Sequence, residues 1–438
     1  MAKRIAVLGM WHLGSVMAAC LAEAGYEVLA LDPDASLIQQ LSQGQPAVQE
    51  PGLPELVATQ LETGRLRYAT PDDPGTAQAD VIWIGFDTPV DDDDVADGPW
   101  VIDHTVNLLM GAREDALVIL SSQLPVGSIF GLAERMAAAG RARLRYACIP
   151  ENLRLGKAIE TFRDAERFVV GTRTAADLAE VSELLSPFNA EIVAMGIESA
   201  EMTKHALNGF LATSVTYINE IASICELVGA DADEVSRGLK SDARIGPRAY
   251  LGPGEAFAGG TLARDIQFLQ QIARDRDIEV PLTAGVAASN AAHQKWPRGA
   301  LTRALGIDLT ADADALKGRL IAVWGLTYKP GTSTLRRSSA LELCNWLDDQ
   351  GAIIQAYDPA VPVLPSAEHV RLASSPIAAL QDAEALVVCT AWPEYRGVGA
   401  DSVVAAMRTP IVIDAAGHVR GTLGSDPGVR YVRVGVAA

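Results

Sequence analysis

The chain has 438 residues, 49% of them apolar, so we expect two or three packed domains and little disorder. A formal net charge of −19 excludes nucleic-acid binding as the main function, because such a surface needs clustered Lys and Arg. No apolar run approaches the roughly 20 residues that span a bilayer, so we expect no membrane segment. The five cysteines show no paired spacing and stand in apolar stretches, which predicts buried free thiols in a reducing compartment.

The first half of the chain alternates short apolar runs with helical patterns. Residues 4–9 predict a strand close to the N-terminus, so we expect no signal peptide and a cytoplasmic location. A helix is predicted over 13–24, and further strands are predicted over 27–32, 81–86, 117–121, 146–149 and 168–171. This alternation indicates a parallel sheet with helices on both faces.

The pattern changes near residue 195. Residues 197–228 carry a helical period without Pro, and a helical region follows to about residue 300. Strand patterns return further on, at 319–324, 353–357, 386–389 and 411–414. These runs indicate a second α/β domain after a helical one.

We therefore predict an α/β protein with two Rossmann-like, doubly wound parallel-sheet domains joined by a helical central domain that contains a long helix. The predicted domains are 1–195, 196–310 and 311–438. The acidic run Asp91–Asp94 lies between elements. It predicts a solvated loop rather than a metal site, because carboxylates so close together are hard to hold around one ion.

The first strand and helix are separated by a dinucleotide-binding motif made of Gly9, Met10, Trp11, His12, Leu13 and Gly14. Gly9 permits the tight turn, Gly14 permits close helix–strand packing, and the helix offers its first N–H groups to a pyrophosphate. Trp11 replaces the glycine that normally lets the backbone approach the phosphates. Asp32 ends the second strand and would accept from the ribose hydroxyls. Asp32 favours NAD over NADP, because no Arg follows it that could bind a 2′-phosphate. The alternative is that the glycine motif forms a strand–helix turn that binds no ligand.

Longer motifs extend over almost the whole chain: Glu50–Leu53, Asp87–Pro89, Ser122–Gly127, Pro150–Gly156, Glu201–Lys204 with Asn208, Asp242–Gly246, Tyr250–Asp265, Gly325–Pro330 and Tyr357–Pro359. Through them the chain resembles the UDP-glucose/GDP-mannose dehydrogenases, which oxidise the primary alcohol of a nucleotide-linked sugar to a carboxylate with two NAD. The resemblance implies an N-terminal NAD domain, a C-terminal domain for the nucleotide diphosphate, and a homodimer built around the long helix.

The resemblance also assigns roles to side chains. Lys204 would stabilise the developing alkoxide with help from Asn208, and Glu151 and Asp265 would position water and handle protons. Further cofactor contacts are implied for Thr88, Pro89, Ser122 and Arg264. Substrate contacts are implied for Leu153, Arg154, Arg244, Tyr250, Gly254, Phe257, Gly259, Lys329 and Arg336. Plainer alternatives exist: Lys204 could be a solvated helix lysine, Asp265 a helix cap, and Glu151 and Lys329 turn residues.

Thr261 is the largest departure from the family pattern, which places a nucleophilic cysteine there. Ala256 and Ala258 also replace glycines nearby, and added methyl groups narrow a pocket. A threonine hydroxyl needs an adjacent base before it can attack an aldehyde. Three functions follow: a single two-electron oxidation or an epimerisation, a catalytically silent binder of NAD and nucleotide sugar, or a four-electron oxidation through a hydrated aldehyde. The retained Lys204 and Asp265 favour the first.

Overall fold

The structure is a computed structural model that describes residues 3–48, 50–90, 96–151, 153–258, 260–336, 338–364, 367 and 369–437. The chain forms two compact units, Met1–Leu207 and Asn208–Ala438. The acidic run at 91–94, together with Asn152 and Gly259, lies outside the described residues. The three domain boundaries given above stay a prediction.

The first unit is built on an eight-stranded sheet with the strand order β3-β2-β1-β4-β5-β6-β7-β8. Its strands are β1 Arg4–Leu8, β2 Glu27–Leu31, β3 Leu66–Ala69, β4 Val81–Ile84, β5 Leu117–Leu120, β6 Arg145–Cys148, β7 Arg167–Thr172 and β8 Glu191–Met195. All neighbouring pairs are parallel except β6 and β7, which are antiparallel. This pair departs from a purely parallel sheet, because an apolar run identifies a strand but carries no information about its direction.

Helices cover both faces of this sheet and bury its apolar strands. They are α1 Leu13–Glu23, α2 Ala35–Ser42, α3 Leu53–Glu62, α4 Gly98–Met110, α5 Ser128–Ala138, α6 Ala158–Arg163, α7 Ala175–Leu185 and the first residues of α8 Ile197–Val228. Short 3₁₀ turns stand at Thr76–Gln78 and Ser186–Phe188. Trp83 is fully buried in the sheet, as an inner strand covered on both faces requires.

The second unit contains a helical region and a six-stranded, wholly parallel sheet with the order β11-β10-β9-β12-β13-β14. Its strands are β9 Leu320–Trp324, β10 Ile353–Tyr357, β11 Val370–Leu372, β12 Ala385–Val388, β13 Ile411–Asp414 and β14 Arg430–Val432. Its helices are the rest of α8, α9 Ala232–Ser241, α10 Thr261–Asp275, α11 Pro281–His293, α12 Trp296–Leu305, α13 Ser339–Asp349, α14 Pro376–Leu380, α15 Ala400–Ala406 and α16 Arg420–Leu423, with a 3₁₀ turn at Pro393–Gly397.

Both sheets have the strand order of a doubly wound fold, which confirms the predicted fold class. In each sheet the order reverses beside the first strand, and ligands bind at the carboxyl ends of the strands flanking that point. In the first sheet, β1 is flanked by β2 and β4, with Leu8 opposite both Leu31 and Ile84. The loops that follow these three strands therefore leave the sheet at one edge, where the predicted cofactor motif lies.

Four strands were not predicted, and they are β3, β8, β11 and β14. β11 and β14 have only three residues each, and both lie at edges of the second sheet. β3 and β8 are the edge strands of the first sheet, and the burial of β8 is incomplete along its length. Short or half-exposed edge strands lack the long apolar run by which buried strands are recognised.

Candidate active site

The turn between β1 and α1 has no room for side chains at its two glycines. Gly9 has a φ of 99°, and a Cβ added there would lie 2.8 Å from Phe86 Cα. A Cβ on Gly14 would lie 1.7 Å from the Gly9 carbonyl oxygen. Both positions therefore require glycine, as a phosphate-binding turn against a neighbouring strand does. Trp11, the unusual residue of the motif, is 55% exposed.

Asp32 lies at the end of β2, beside this turn. It is 8% exposed, and its carboxylate accepts hydrogen bonds from the N–H groups of Met10 (2.7 Å) and Asp34 (2.9 Å). Burial raises the pKa of Asp32, while the two amides act in the opposite direction. An open cavity of about 430 Å³ adjoins it, lined by Trp11, Asp32, Asp34, Ser36, Leu37, Gln40, Ala47, Phe86, Asp87 and Trp100. The glycine turn, the carboxylate and this cavity fit the adenosine half of a dinucleotide.

Glu50 connects this motif to α6, a role that sequence reasoning did not assign. It is 3% exposed and accepts hydrogen bonds from Gly156 N (2.8 Å), Ala158 N (2.8 Å) and His12 Nε2 (3.0 Å). Burial raises the pKa of Glu50, but these three donors outweigh it, and the pKa falls below its ordinary value. Glu50 thus fixes the predicted cofactor residue His12 from outside the glycine motif.

Replacing Glu50 by alanine is expected to destabilise the protein by about 3 kcal/mol, because it leaves the buried amide of Ala158, the amide of Gly156 and the ring of His12 without their acceptor. The folded-state pKa is lowered, so the stabilisation is complete above the unfolded pKa and is lost as the pH falls through the folded pKa. Urea unfolding at several pH values measures both effects. Glu55→Ala, an exposed position in the first turn of α3, is the control and should change stability by less than about 0.5 kcal/mol.

Lys204 is held in the first unit rather than solvated. Its side chain is 12% exposed, and Nζ donates to the Glu151 carbonyl oxygen (2.5 Å) and lies 3.7 Å from Glu151 Oε2. Burial raises the pKa of Glu151, against the attraction of Lys204. The two side chains adjoin a cavity of about 30 Å³ whose lining also includes Ser121, Ser122, Gln123, Leu124, Ile129, Cys148, Glu201 and His205.

Three further side chains line this cavity: Ser122, Glu201 and His205. Ser122 Oγ is buried and has no hydrogen-bond partner among the described residues, so it is available to a ligand. Glu201 accepts from Gly127 N (2.7 Å) and Ile129 N (3.0 Å) and so caps α5, while His205 Nε2 contacts the Leu124 carbonyl oxygen (3.0 Å). The walls of this cavity are therefore held by contacts between residues far apart in the chain, which no local sequence motif predicts.

The other predicted residues of the first unit lie in loops near these groups. Thr88 Oγ1 donates to the Gln123 carbonyl oxygen (2.7 Å), and the carbonyl of Pro89 accepts from Asp97 N (2.8 Å). Leu153 packs against the core, whereas Arg154 is exposed. Thr88 is thereby tied to the loop that carries Ser122, while Arg154 faces solvent.

Thr261 is the first residue of α10 and is exposed. The helix is capped by Gly260, whose φ of 101° lies in the region that favours glycine. Asp265 lies one turn further along the helix, is fully buried, and accepts a hydrogen bond from Asn208 Nδ2. Asp265 is therefore not the cap of α10. The second unit thus brings Asn208 and Asp265 together, and their roles in the site stay a prediction.

The loop before α10 is fixed by amide side chains that sequence reasoning missed. Asn219 Oδ1 accepts from Gly254 N (3.0 Å), and Asn290 bonds both backbone groups of Phe257 (3.0 and 2.8 Å). His293 Nε2 contacts the Gly254 carbonyl oxygen (2.7 Å). Asn219 lies on α8 and Asn290 on α11. The helical pattern of the sequence predicts these helices, but it does not indicate which loop atoms their polar side chains bind.

The remaining substrate candidates are spread over the second unit. Arg244 and Tyr250 are exposed, and the Arg244 guanidinium pairs with Asp242 (2.7 Å). Lys329 is half-buried, and Arg336 is exposed. Arg264, which the resemblance gives as a cofactor contact, is half-buried. None of these lines a cavity of about 60 Å³ in this unit, which is formed by Glu255, Ala256, Ala258, His293, Gln294, Trp296, Pro297, Arg298, Ser339, Glu342, Leu343, Val388, Cys389 and Ala415.

In the part of the chain that the structure describes, no helix combines the length and apolar character needed to cross a membrane. No group of three or more His, Cys, Asp or Glu side chains there could hold a metal ion. The five cysteines form no disulfide, as predicted, and four of them are buried.

Three family models match the chain in succession. They describe the NAD-binding domain (residues 3–189), the central domain (198–292) and the UDP-binding domain (322–420) of the UDP-glucose/GDP-mannose dehydrogenase family. UDP-glucose 6-dehydrogenases of Bacillus subtilis and Rhizobium meliloti are 34% and 32% identical, over 98% and 99% of this chain and 94% and 99% of theirs. A solved UDP-glucose dehydrogenase of Pyrobaculum islandicum superposes with a TM-score of 0.83 at 27% identity, covering 100% of this chain and 98% of that one.

Proposed function

The chain belongs to the UDP-glucose/GDP-mannose dehydrogenase family, and on that premise we propose that it oxidises a UDP- or GDP-linked sugar with NAD in a single two-electron step. The observation that carries the proposal is Thr261 at the start of α10. The Thr261 hydroxyl is far less acidic than a thiol and is not ionised at neutral pH. The aldehyde formed by the first oxidation therefore has no nucleophile to attack it, and the second oxidation cannot follow by that route. The first oxidation needs no thiol and stays available.

In this step the alcohol gives up its proton, and its carbon transfers a hydride, which yields an aldehyde or ketone, NADH and a proton. NAD supplies the hydride acceptor when bound. The Lys204 ammonium stabilises the alkoxide as its charge develops, since it is already fixed beside Glu151. Burial raises the pKa of Glu151, which makes this carboxylate a better proton acceptor than an ordinary one.

UDP-glucose is the first substrate to test. The relatives that are 34% and 32% identical to this chain are named UDP-glucose 6-dehydrogenases. The last domain also matches the family model of a UDP-binding domain. The protein is incubated with NAD and a panel of UDP- and GDP-sugars, while NADH absorbance and product mass are followed. One NADH per sugar with an aldehyde or ketone product supports the proposal. Two NADH with a carboxylate favour the hydrated-aldehyde route, and tight binding without NADH favours a silent binder or an epimerase.

We further propose that the protein is a homodimer formed through the part of α8 in the second unit. Phe210, Tyr217 and Ile224 stand at seven-residue intervals on this helix and are 68%, 48% and 54% exposed. A seven-residue repeat places side chains on one face of a helix. Three large apolar side chains on one face favour burial against a partner.

Replacing Phe210 and Ile224 together by glutamate is expected to convert the dimer to a monomer at micromolar concentration, because two charges would be buried in an apolar interface. Light scattering coupled to gel filtration measures the mass. Val363→Glu is the matched control, since this side chain is as exposed as Phe210 (68%) but lies outside α8. A wild-type monomer, or a dimer that survives the double substitution, contradicts this interface.

A further inference from the structure

The N-terminus of α1 lies at the point where the strand order of the first sheet reverses, between β1 and β4. In a doubly wound fold the pyrophosphate of a dinucleotide binds the free N–H groups of this helix. The packing of Gly9 against Phe86 shows that this turn contacts the segment following β4. Residues after β4 are therefore placed to affect what the helix binds.

The first amides of α1 already donate to a carboxylate of the chain itself. Asp87 Oδ2 accepts from His12 N (2.9 Å) and from Leu13 N (3.0 Å). His12, the residue preceding the helix, contributes no side-chain cap. Asp87 thus caps α1 from a loop 74 to 75 residues further along the chain. It places a negative charge at the positive end of the helix dipole.

The other two carboxylates that line the same cavity, Asp32 and Asp34, accept hydrogen bonds from amides other than those of His12 and Leu13. Asp32 accepts from Met10 N and Asp34 N. Asp34 caps α2 by accepting from Ser36 N (2.8 Å) and Leu37 N (3.2 Å). Of the carboxylates among the described residues that line this cavity, Asp87 is therefore the one that accepts from His12 N and Leu13 N. These amides at the start of α1 are the ones that would bind a pyrophosphate.

We propose that Asp87 is a specificity-determining residue that competes with the cofactor pyrophosphate for the N-terminus of α1. The two anions cannot share the same N–H groups, and their like charges repel at close range. NAD therefore binds only after the Asp87 carboxylate leaves His12 and Leu13. Asp87 weakens the affinity for ligands that carry the diphosphate and leaves the affinity for the nucleoside part unchanged. The inference rests on the proposed function only through its cofactor.

Replacing Asp87 by asparagine tests the competition, because the amide oxygen can still cap α1 while the charge is removed. We expect the dissociation constant for NAD, measured by calorimetry, to fall about tenfold or more. The dissociation constant for adenosine, which has no phosphate, should stay within about twofold, since its site does not include these amides. Asp87→Ser, whose hydroxyl also caps helices, should give the same direction.

Asp34→Asn is the matched control, because it removes one carboxylate from the same cavity without freeing an amide of α1. Tighter NAD binding by the Asp87 variants but not by Asp34→Asn supports the competition. An equal gain from both positions indicates general repulsion and overturns it. Unchanged NAD binding by the Asp87 variants overturns this inference alone. Absence of NAD binding in every variant overturns the cofactor assignment as well.

Discussion

Replacing Lys204 by alanine is expected to lower the rate of NADH formation by about two to three orders of magnitude. The Lys204 side chain is 12% exposed and its ammonium is hydrogen-bonded to the Glu151 carbonyl group, so it stabilises an alkoxide without first having to reorganise. The loss of a preorganised charge falls on the hydride-transfer step. Single-turnover measurements with saturating NAD and nucleotide sugar isolate that step.

Binding measurements separate a catalytic role for Lys204 from a structural one. NAD affinity should be nearly unchanged in Lys204→Ala, because Lys204 is not among the residues that line the adenosine cavity. Thr203→Ala is the control: it changes the neighbouring residue of α8, whose hydroxyl donates to the Ser199 carbonyl one turn back. The rate of NADH formation by Thr203→Ala should stay within about twofold of the wild-type rate, because a substitution on a helix away from the reacting groups has a small effect. A Lys204→Ala protein with near wild-type turnover would remove this lysine from the mechanism.

Replacing Thr261 by cysteine is expected to change the stoichiometry from one NADH per sugar to two. A thiol has a pKa of about 8.5 and is partly thiolate at neutral pH, so it can attack the aldehyde that the first oxidation leaves. Hydride transfer from the resulting tetrahedral adduct gives a thioester, which water hydrolyses to the carboxylate. Thr261 is exposed at the start of α10, so a small thiol fits there without repacking a core.

The native cysteines do not supply the missing thiolate. Burial raises the pKa of Cys20, Cys148, Cys344 and Cys389. Cys225 is buried within α8. Cys148 adjoins the cavity beside Lys204, but its raised pKa leaves it as a thiol at neutral pH. A thiolate at 261 would therefore be a new chemical group in this protein.

Thr261→Ser is the matched control, because it keeps a hydroxyl and should remain at one NADH per sugar. NADH counting against a limiting amount of sugar, with the product mass, distinguishes aldehyde from carboxylate. Two NADH and a carboxylate from the wild-type protein would show that Thr261 does not arrest the reaction. A cysteine variant that still stops at one NADH would place the oxidised carbon out of reach of position 261.

Local sequence patterns were enough to predict the two Rossmann-like sheets and the long helix. Buried strands such as β4 and β5 are continuous apolar runs, and α8 keeps a helical period over 32 residues. The glycine motif also follows from local geometry, since Gly9 and Gly14 have no space for a Cβ. The assignment of Lys204, Asn208 and Asp265 came from the resemblance of long motifs, and these remain predictions for experiment.

The partners of the buried carboxylates depend on the tertiary fold. Glu50 meets Gly156 and Ala158 more than a hundred residues away, and Glu201 caps a helix that begins at Ser128. A carboxylate in a loop gives no local signal of which amides it will bind, because that depends on which strand ends lie side by side. Asp87 is the sharpest case: the sequence places it in a cofactor loop, and only the adjacency of β1 and β4 brings it to the helix that binds phosphate.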